Sequence, residues 1–574
     1  MSALSTACKQ GRLDIVQWLV ENDHAEYHSS SFHNHIFGAT PLFLACDGGH
    51  LQIVRILCEH MTTKGIGRPT NDGTTPVYIA CKHGHLDIVQ VLCEHGADVL
   101  STKNDEAGEG AGGATPMLVA CCENHLDIVR FLYEHGAKED VTRPMNSGAT
   151  PLWVACRNNG LDILRFLYKH GAKEDVRRPN NDGVTPMSIA CREGNLDIVR
   201  FLYEHGAKND VTQAQNDGRT PMYGACHGNH LEMVRFLYDH GAKEDVKRPD
   251  NYGSTPLWVA CMFGHLEIVC FLYEHGAKED VQQAQNEGVT PMYIACERNH
   301  LEIVRFLYEH GAKEDVTRPD NTGSTPLWTA CQVNIDVVRF LYEHGAKDNV
   351  RQPHNDGRTP LWTACDKGHL PIVRFLYEHG AKEDTSRADK NGDSPMLVAC
   401  YEDHLDVVQF LYEHSAKGDI RRPDNEGYTP MWSACQNNHL RIVQFLCNHG
   451  AAEDTNKICD DEITPLEEAC ERDSFDTVQW LVLQGIPSID NIESWRNKLN
   501  TQNQLDLFEL ALASRDVDHE SFLTLVNIVQ HSGVQACGVH LIHIRGILEH
   551  IGEYVRGKNQ ARLLFHRIIE MGDP

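Results

Sequence analysis

Basic residues are in short supply in this sequence: 52 Lys and Arg stand against 81 Asp and Glu, a formal charge of −29. Binding nucleic acid needs a cationic surplus to neutralise phosphates, so DNA and RNA are excluded as partners. The same deficit argues against an anionic membrane surface. No run of about 18 apolar residues is available to span a bilayer, and the N-terminus has no basic-then-apolar leader. Catalytic signatures are missing as well. There is no P-loop, no H-E-x-x-H and no recurring set of nucleophile, base and orienting acid. The expectation is a non-enzymatic, intracellular, cytoplasmic protein with no cofactor and no small-molecule substrate.

Cysteine, by contrast, is plentiful at 21 residues. Fourteen of these fall at one recurring position: Cys8, Cys46, Cys81, Cys121, Cys156, Cys191, Cys226, Cys261, Cys296, Cys331, Cys365, Cys400, Cys435 and Cys470. Equivalent positions of stacked helices lie about 8–10 Å apart, beyond the roughly 7 Å that a disulfide spans. They read as small buried apolar side chains in a reducing compartment.

A period organises the chain. The proline of a recurring Thr-Pro step stands at 41, 76, 116, 151, 186, 221, 256, 291, 326, 360, 395, 430 and 465, mostly 35 residues apart. A truncated copy opens the chain at Ser2–Cys8. Units this short bury too little surface to fold alone and must stack on one another. Within a unit, Thr is a helix N-cap and Pro suits the first helical position. A Gly-His or Asn-His pair breaks the first helix, as at Gly264-His265. The second helix shows apolar spacing of 3.6, as in Leu126, Ile128, Val129, Leu132 and Tyr133. His135 and Gly136 close it, with the imidazole near the negative end of the dipole. Pro371 tests the scheme, being tolerable only in the first turn of a helix. The remaining K-E-D-V-x-R-P segment reads as polar turn material.

These motifs resemble the ankyrin-repeat family. Its pattern is matched by Asp250–Leu257 and Ala260–Ala277, and by the other copies in register. The family's T-P-L-H histidine gives way here to Trp153, Trp258, Trp328, Trp362, Trp432, Tyr78, Tyr223 or Tyr293, and the second Ala to Cys. The period is two residues longer than the family's, with the extra residues in the finger turn. The resemblance implies an all-α solenoid of about fourteen helix-turn-helix repeats over 1–486, with long fingers lacking β character. A non-repetitive all-α tail, a cap or small module with helices at 501–514, 519–532, 539–555 and 558–571, is expected over 487–574. It also implies protein–protein interaction through the concave face and finger tips.

Several segments break the pattern. The first copy begins inside its first helix, as expected of a terminal cap or of a chain whose start lies further upstream. His24, His28, His33 and His35 form a weak metal-ligand candidate in a polar loop, since their spacing matches no structural zinc motif. Gly108–Gly113 formally matches G-x-G-x-x-G but lacks the preceding strand, and reads as a linker. Gln332–Asp336 lacks a residue and predicts a distorted inter-helix turn and a weak point in the stack. Ser415 replaces the glycine that ends the second helix, at some cost in strain.

Repetition provides its own internal comparison: framework positions recur, and candidate binding positions vary. The variable ones are the two residues after the recurring Cys and those flanking the finger glycine. From these come the candidate partner-binding residues Arg219, Tyr252, Ser254, Met262, Phe263, Glu287, Val289, Glu297, Arg298, Arg358, Asp366, Lys367, Tyr401 and Tyr428, weighted toward the aromatic, Met and Arg side chains that anchor interfaces. The recurring Trp reads as framework. A row of arginines before the finger proline (Arg68, Arg143, Arg178, Arg248, Arg318, Arg387, Arg422) reads as exposed pairing with the K-E-D acids. The function expected is a scaffold or adaptor that binds one or more proteins. The alternatives are an elastic structural spacer, or a substrate-recruiting adaptor whose tail engages the partner.

Overall fold

The computed structural model describes residues 2–22, 31–33, 36–103, 112–414, 417–459, 463–472 and 474–483. His24, His28, His35, Gly108–Ala111, Ser415 and the tail from 487 lie outside the described residues, as does the side chain of His33. The chain divides into two compact units, Met1–Asp315 and Val316–Pro574. In each, helix pairs follow one another in chain order and pack first helix to first helix and second to second.

The helix starts obey their local chemistry. Thr255 Oγ1 accepts the N–H of Trp258 at 3.2 Å, with Pro256 in the first turn; the same cap recurs at Thr150, Thr220, Thr290, Thr359 and Thr429. Each such cap contributes about 1 kcal/mol. The first helices are short, as in Pro151–Arg157. They end where Gly or Asn takes positive φ, for example Gly264 at +81° and Asn299 at +61°. The following His Nε2 donates to a carbonyl of the preceding repeat, as His265 does to His227 (3.2 Å) and His439 to Tyr401 (2.8 Å). Pro371 sits in the first turn of Leu370–Glu378.

The second helices end as their sequence implies. His205 Nδ1 donates to the Phe201 carbonyl at 2.8 Å, occupying a C-terminal acceptor, and its ring stacks on Phe201. Tyr168 of the preceding repeat meets that pair edge-on, a contact repeated within both units. The recurring cysteines are free and buried. Burial alone pushes the Cys8 thiol up to about 12, so it is an apolar filler rather than a reactive thiolate.

Three features differ from expectation. The connection before Pro41 holds an antiparallel pair, Ser31–His33 with Ile36–Ala39, in which His33 faces Ile36. The fingers are ordered: each K-E-D-V forms one 3-10 turn, such as Glu279–Gln282. The aspartate of that turn is buried, not solvated. Asp140, Asp175, Asp210, Asp245 and Asp280 in the first unit, and Asp384, Asp419 and Asp454 in the second, are all buried with the apolar or Thr residue that follows. Arginines approach these acids from outside, either three residues on (Arg248–Asp245, 3.5 Å) or from the preceding finger (Arg177–Asp210, 3.0 Å; Arg421–Asp454, 3.0 Å). Of the arginine row, Arg143, Arg178, Arg248 and Arg387 stand 3.5–3.8 Å from the buried carboxylate three residues before, so their partners are not solvated acids.

Successive finger tips are joined. Asn251 N–H donates to the Asp217 carbonyl and its side chain to the Asn216 carbonyl, at 2.9 and 3.0 Å. A Cβ on Gly253, at φ +84°, would lie 2.8 Å from Asn286 Oδ1, so glycine is required there. At the short copy the first helix shrinks to Pro326–Ala330, and Asn334 caps the second by accepting the Asp336 N–H at 2.7 Å. The expected distortion of that turn is present.

Candidate functional site

The variable positions project from two places: the finger turns and the C-terminal ends of the first helices. In the first unit Tyr252 is 60% exposed at a finger tip, and Phe263 is 40% exposed beside half-buried Met262. The Phe263 ring lies 4.4 Å from that of His227. Glu287 is exposed, and Glu297 pairs with Arg298 at 3.6 Å. Two of the expected contact residues turn inward instead. Ser254 is buried, donating to Gln285 Oε1 at 3.1 Å. Val289 is buried, and its carbonyl accepts the Trp258 indole N–H at 3.1 Å. Both vary in sequence yet hold one repeat to the next, so they offer no surface.

Arg219 and Arg358 share one arrangement. Arg219 lies 5.2 Å from the Tyr223 ring centre and between Asp217 (3.4 Å) and Asp250 (3.5 Å). Arg358 lies 4.7 Å from the Trp362 ring centre and between Asp356 (3.3 Å) and Asp389 (3.6 Å). Each guanidinium fills the space between one finger and the next, so these arginines are already engaged within the chain.

In the second unit the same registers enclose a hollow of about 410 Å³. Its aromatic walls are Trp362, Tyr401, Tyr428 and Trp432. Tyr401 is 44% exposed, and the Tyr428 ring lies 4.2 Å from that of Trp432, tilted by 43°. The acids are Asp366, Asp393, Glu402 and Asp424, and among the described residues the lining holds no Lys or Arg. Asp366 pairs with Lys367 at 2.9 Å, outside the hollow. Burial, with Asp389 and Asp424 nearby, pushes the Asp393 carboxyl up to about 6 against the opposing pull of Arg358. The hollow thus joins three of the expected residues, Asp366, Tyr401 and Tyr428, with others that sequence reasoning passed over. Asp393 follows finger residue Gly392 in the register of Arg358 and Tyr428, a signal that was there to be read. The recurring Trp do serve the framework, since Trp362 Nε1 donates to the Asp393 carbonyl at 2.8 Å. They also form walls.

Among the described residues, no group of three or more His, Cys, Asp or Glu is placed to hold a metal ion. Likewise none of their helices is long and apolar enough to cross a membrane.

A family model for ankyrin repeats (three copies) matches the chain in overlapping stretches from residue 4 to residue 491. The comparison with curated proteins returns no match. Among solved structures, the crystal structure of the human ASB11 ankyrin repeat domain is 24% identical, covering 42% of this chain and 98% of that one, with a TM-score of 0.34. That score is too low for the likeness to carry any argument.

Proposed function

This chain belongs to the ankyrin-repeat family, and from that premise we propose that it is a non-catalytic interaction protein holding one or more proteins along its finger tips and first-helix ends. Ankyrin repeats are in general protein–protein interaction modules. One observation supports this choice of surface. Eight large hydrophobic side chains are exposed among the described residues: Ile15, Trp18, Leu100, Tyr252, Phe263, Val333, Tyr401 and Ile458. Four of them, Tyr252, Phe263, Val333 and Tyr401, occupy the variable registers of the repeat. Exposed aromatic side chains among polar neighbours are the usual anchors of protein interfaces.

The experiment isolates a partner with the full chain, purifies it and measures its affinity for variants. Tyr252→Ala, Phe263→Ala, Tyr401→Ala and Arg298→Glu together are expected to weaken binding by at least about a hundredfold, two anchors at roughly 1.4 kcal/mol each being enough. Unchanged affinity in that variant, with binding lost on removal of 487–574, would instead support the spacer or tail-adaptor alternatives.

A further inference from the structure

The geometry points to the hollow around Asp393, Tyr401 and Tyr428 as a receptor for an arginine side chain presented by a protein partner. This rests on the interaction reading above and names the chemistry of one contact within it.

The argument is an internal precedent. Twice in this chain a guanidinium sits at the residue after the finger glycine. Each time it lies over the aromatic ring four residues on and beside the acids two residues before and thirty-one residues after, as Arg219 does with Tyr223, Asp217 and Asp250. Arg358 repeats the set with Trp362, Asp356 and Asp389. One repeat further on, Asp393 occupies the cation's own position, and Asp424 is the acid thirty-one residues later. An acid has replaced the base there; the residue four on is Leu397 and the residue two before is Asn391, so the address keeps only the acid thirty-one residues on, and the aromatic face comes from Tyr401 in the hollow beside it.

The chemistry of the lining selects the guest. Aromatic faces attract a cation, and a planar guanidinium can stack on one while donating to carboxylates at its edge. An ammonium has no plane to stack, and a neutral side chain would add nothing to the partial compensation that Arg358 gives Asp393. The hollow is also large enough for such a side chain, and hydrogen bonds between a guanidinium and a carboxylate are about twice as strong as neutral ones. Tyr401, the exposed aromatic of the rim, offers its ring, since the Trp362 face already carries Arg358.

The test uses the full chain and the terminally blocked peptide Gly-Ser-Arg-Ser-Gly, with counterparts in which lysine or citrulline replaces arginine. Binding is followed by saturation-transfer NMR on the peptide. The arginine peptide is expected to bind saturably, with the lysine peptide weaker and the citrulline peptide, the same shape without charge, silent. Asp393→Asn is expected to weaken binding by at least about tenfold. It preserves the backbone carbonyl that accepts Trp362 Nε1, and its thermal midpoint checks the fold. Tyr401→Ala, at a side chain nearly half exposed, is a second variant with little stake in folding and is expected to weaken binding too. Tyr252→Ala, in the other unit, is expected to leave it unchanged. Equal binding of arginine and citrulline peptides, equal binding of arginine and lysine peptides, or an unaffected Asp393→Asn variant would each overturn the assignment. If the peptide fails while a purified partner still depends on the finger substitutions, this inference falls and the interaction reading stands.

Discussion

Two aromatic surfaces occupy the same registers of the repeat and have different characters. In the first unit Tyr252 and Phe263 stand out among compensated charges, with Arg219 filling the space over Tyr223 and Glu297 tied to Arg298. In the second, Tyr401 and Tyr428 border a hollow whose described lining carries four acids and no Lys or Arg. The difference traces to the residue after the finger glycine. Arginine there fills the gap between fingers, as Arg219 and Arg358 do. Ser254 and Val289 bury themselves and close it. Asp393 leaves it open and acidic. A repeat array can therefore place a site at one address by changing a single side chain, while the framework around it stays constant.

The largest expected effect comes from breaking the walls of the hollow. Trp432 is buried and packs on Tyr428, so Trp432→Ala is expected to destabilise the second unit by about 3–5 kcal/mol, measured by chemical unfolding of the full chain. A loss under about 1 kcal/mol would mean that the indole is held loosely, and that the hollow is not a preformed site.

The contrast between filled and unfilled registers extends to the buried finger acids. Asp280 has Gln283 where other fingers have arginine, and burial pushes its carboxyl up to about 6, opposed by Lys247 and aided by Glu279. At the corresponding place in the second unit, Asn349 donates to Gln352 at 2.7 Å. Between about pH 4, where an exposed aspartate ionises, and pH 6, the folded chain holds a proton that the unfolded chain releases. Stability therefore falls as pH rises through that window, and the full penalty persists above it. Asp280→Asn is expected to raise stability at pH 7.5 by up to about 3 kcal/mol, and by little at pH 4. An equal gain at both pH values would show that the cost of Asp280 is steric rather than ionic.

Converting the open address into a filled one is a smaller change. Asp393→Arg is expected to place a cation at the hollow from within the chain, and so to abolish binding of the arginine peptide. It is expected to shift stability by less than about 1 kcal/mol, the scale of a partly exposed ion pair. Retained peptide binding would mean that the peptide sits elsewhere.

How much of this was legible in the sequence depends on how local the cause is. Thr255-Pro256 starts a helix and Gly264-His265 stops one by chemistry within a few residues, so the helix pairs could be read directly. The short copy at Gln332–Asp336 was legible for the same reason. The burial of Asp210 was not, because it depends on Arg177 reaching across from the preceding finger, 33 residues away. K-E-D looks like a solvated charge run until the fingers are stacked. Ser254 and Val289 misled for a related reason: variability marks positions free of the repeat's own rules, yet Ser254 bonds to Gln285 of the next finger and Val289 to Trp258 of the preceding repeat. The hollow required three consecutive copies to be considered together, and only its aromatic rim stood out from a single one.

The smallest expected effect is the one that best separates the two surfaces. Tyr252 is 60% exposed, and the hydrogen bonds it makes among the described residues are through its backbone: its N–H donates to Asp250 Oδ1 and its carbonyl accepts from Asn286. Alanine keeps both bonds, so Tyr252→Ala is expected to change stability by no more than about 0.5 kcal/mol, in contrast to Trp432→Ala. A side chain of that size held in water without a structural role is what an interface anchor requires. If thermal unfolding shows a loss of more than about 1 kcal/mol, Tyr252 is packing against its own chain. The first unit's surface would then be framework, and the hollow around Asp393 would stand as the stronger candidate for partner contact.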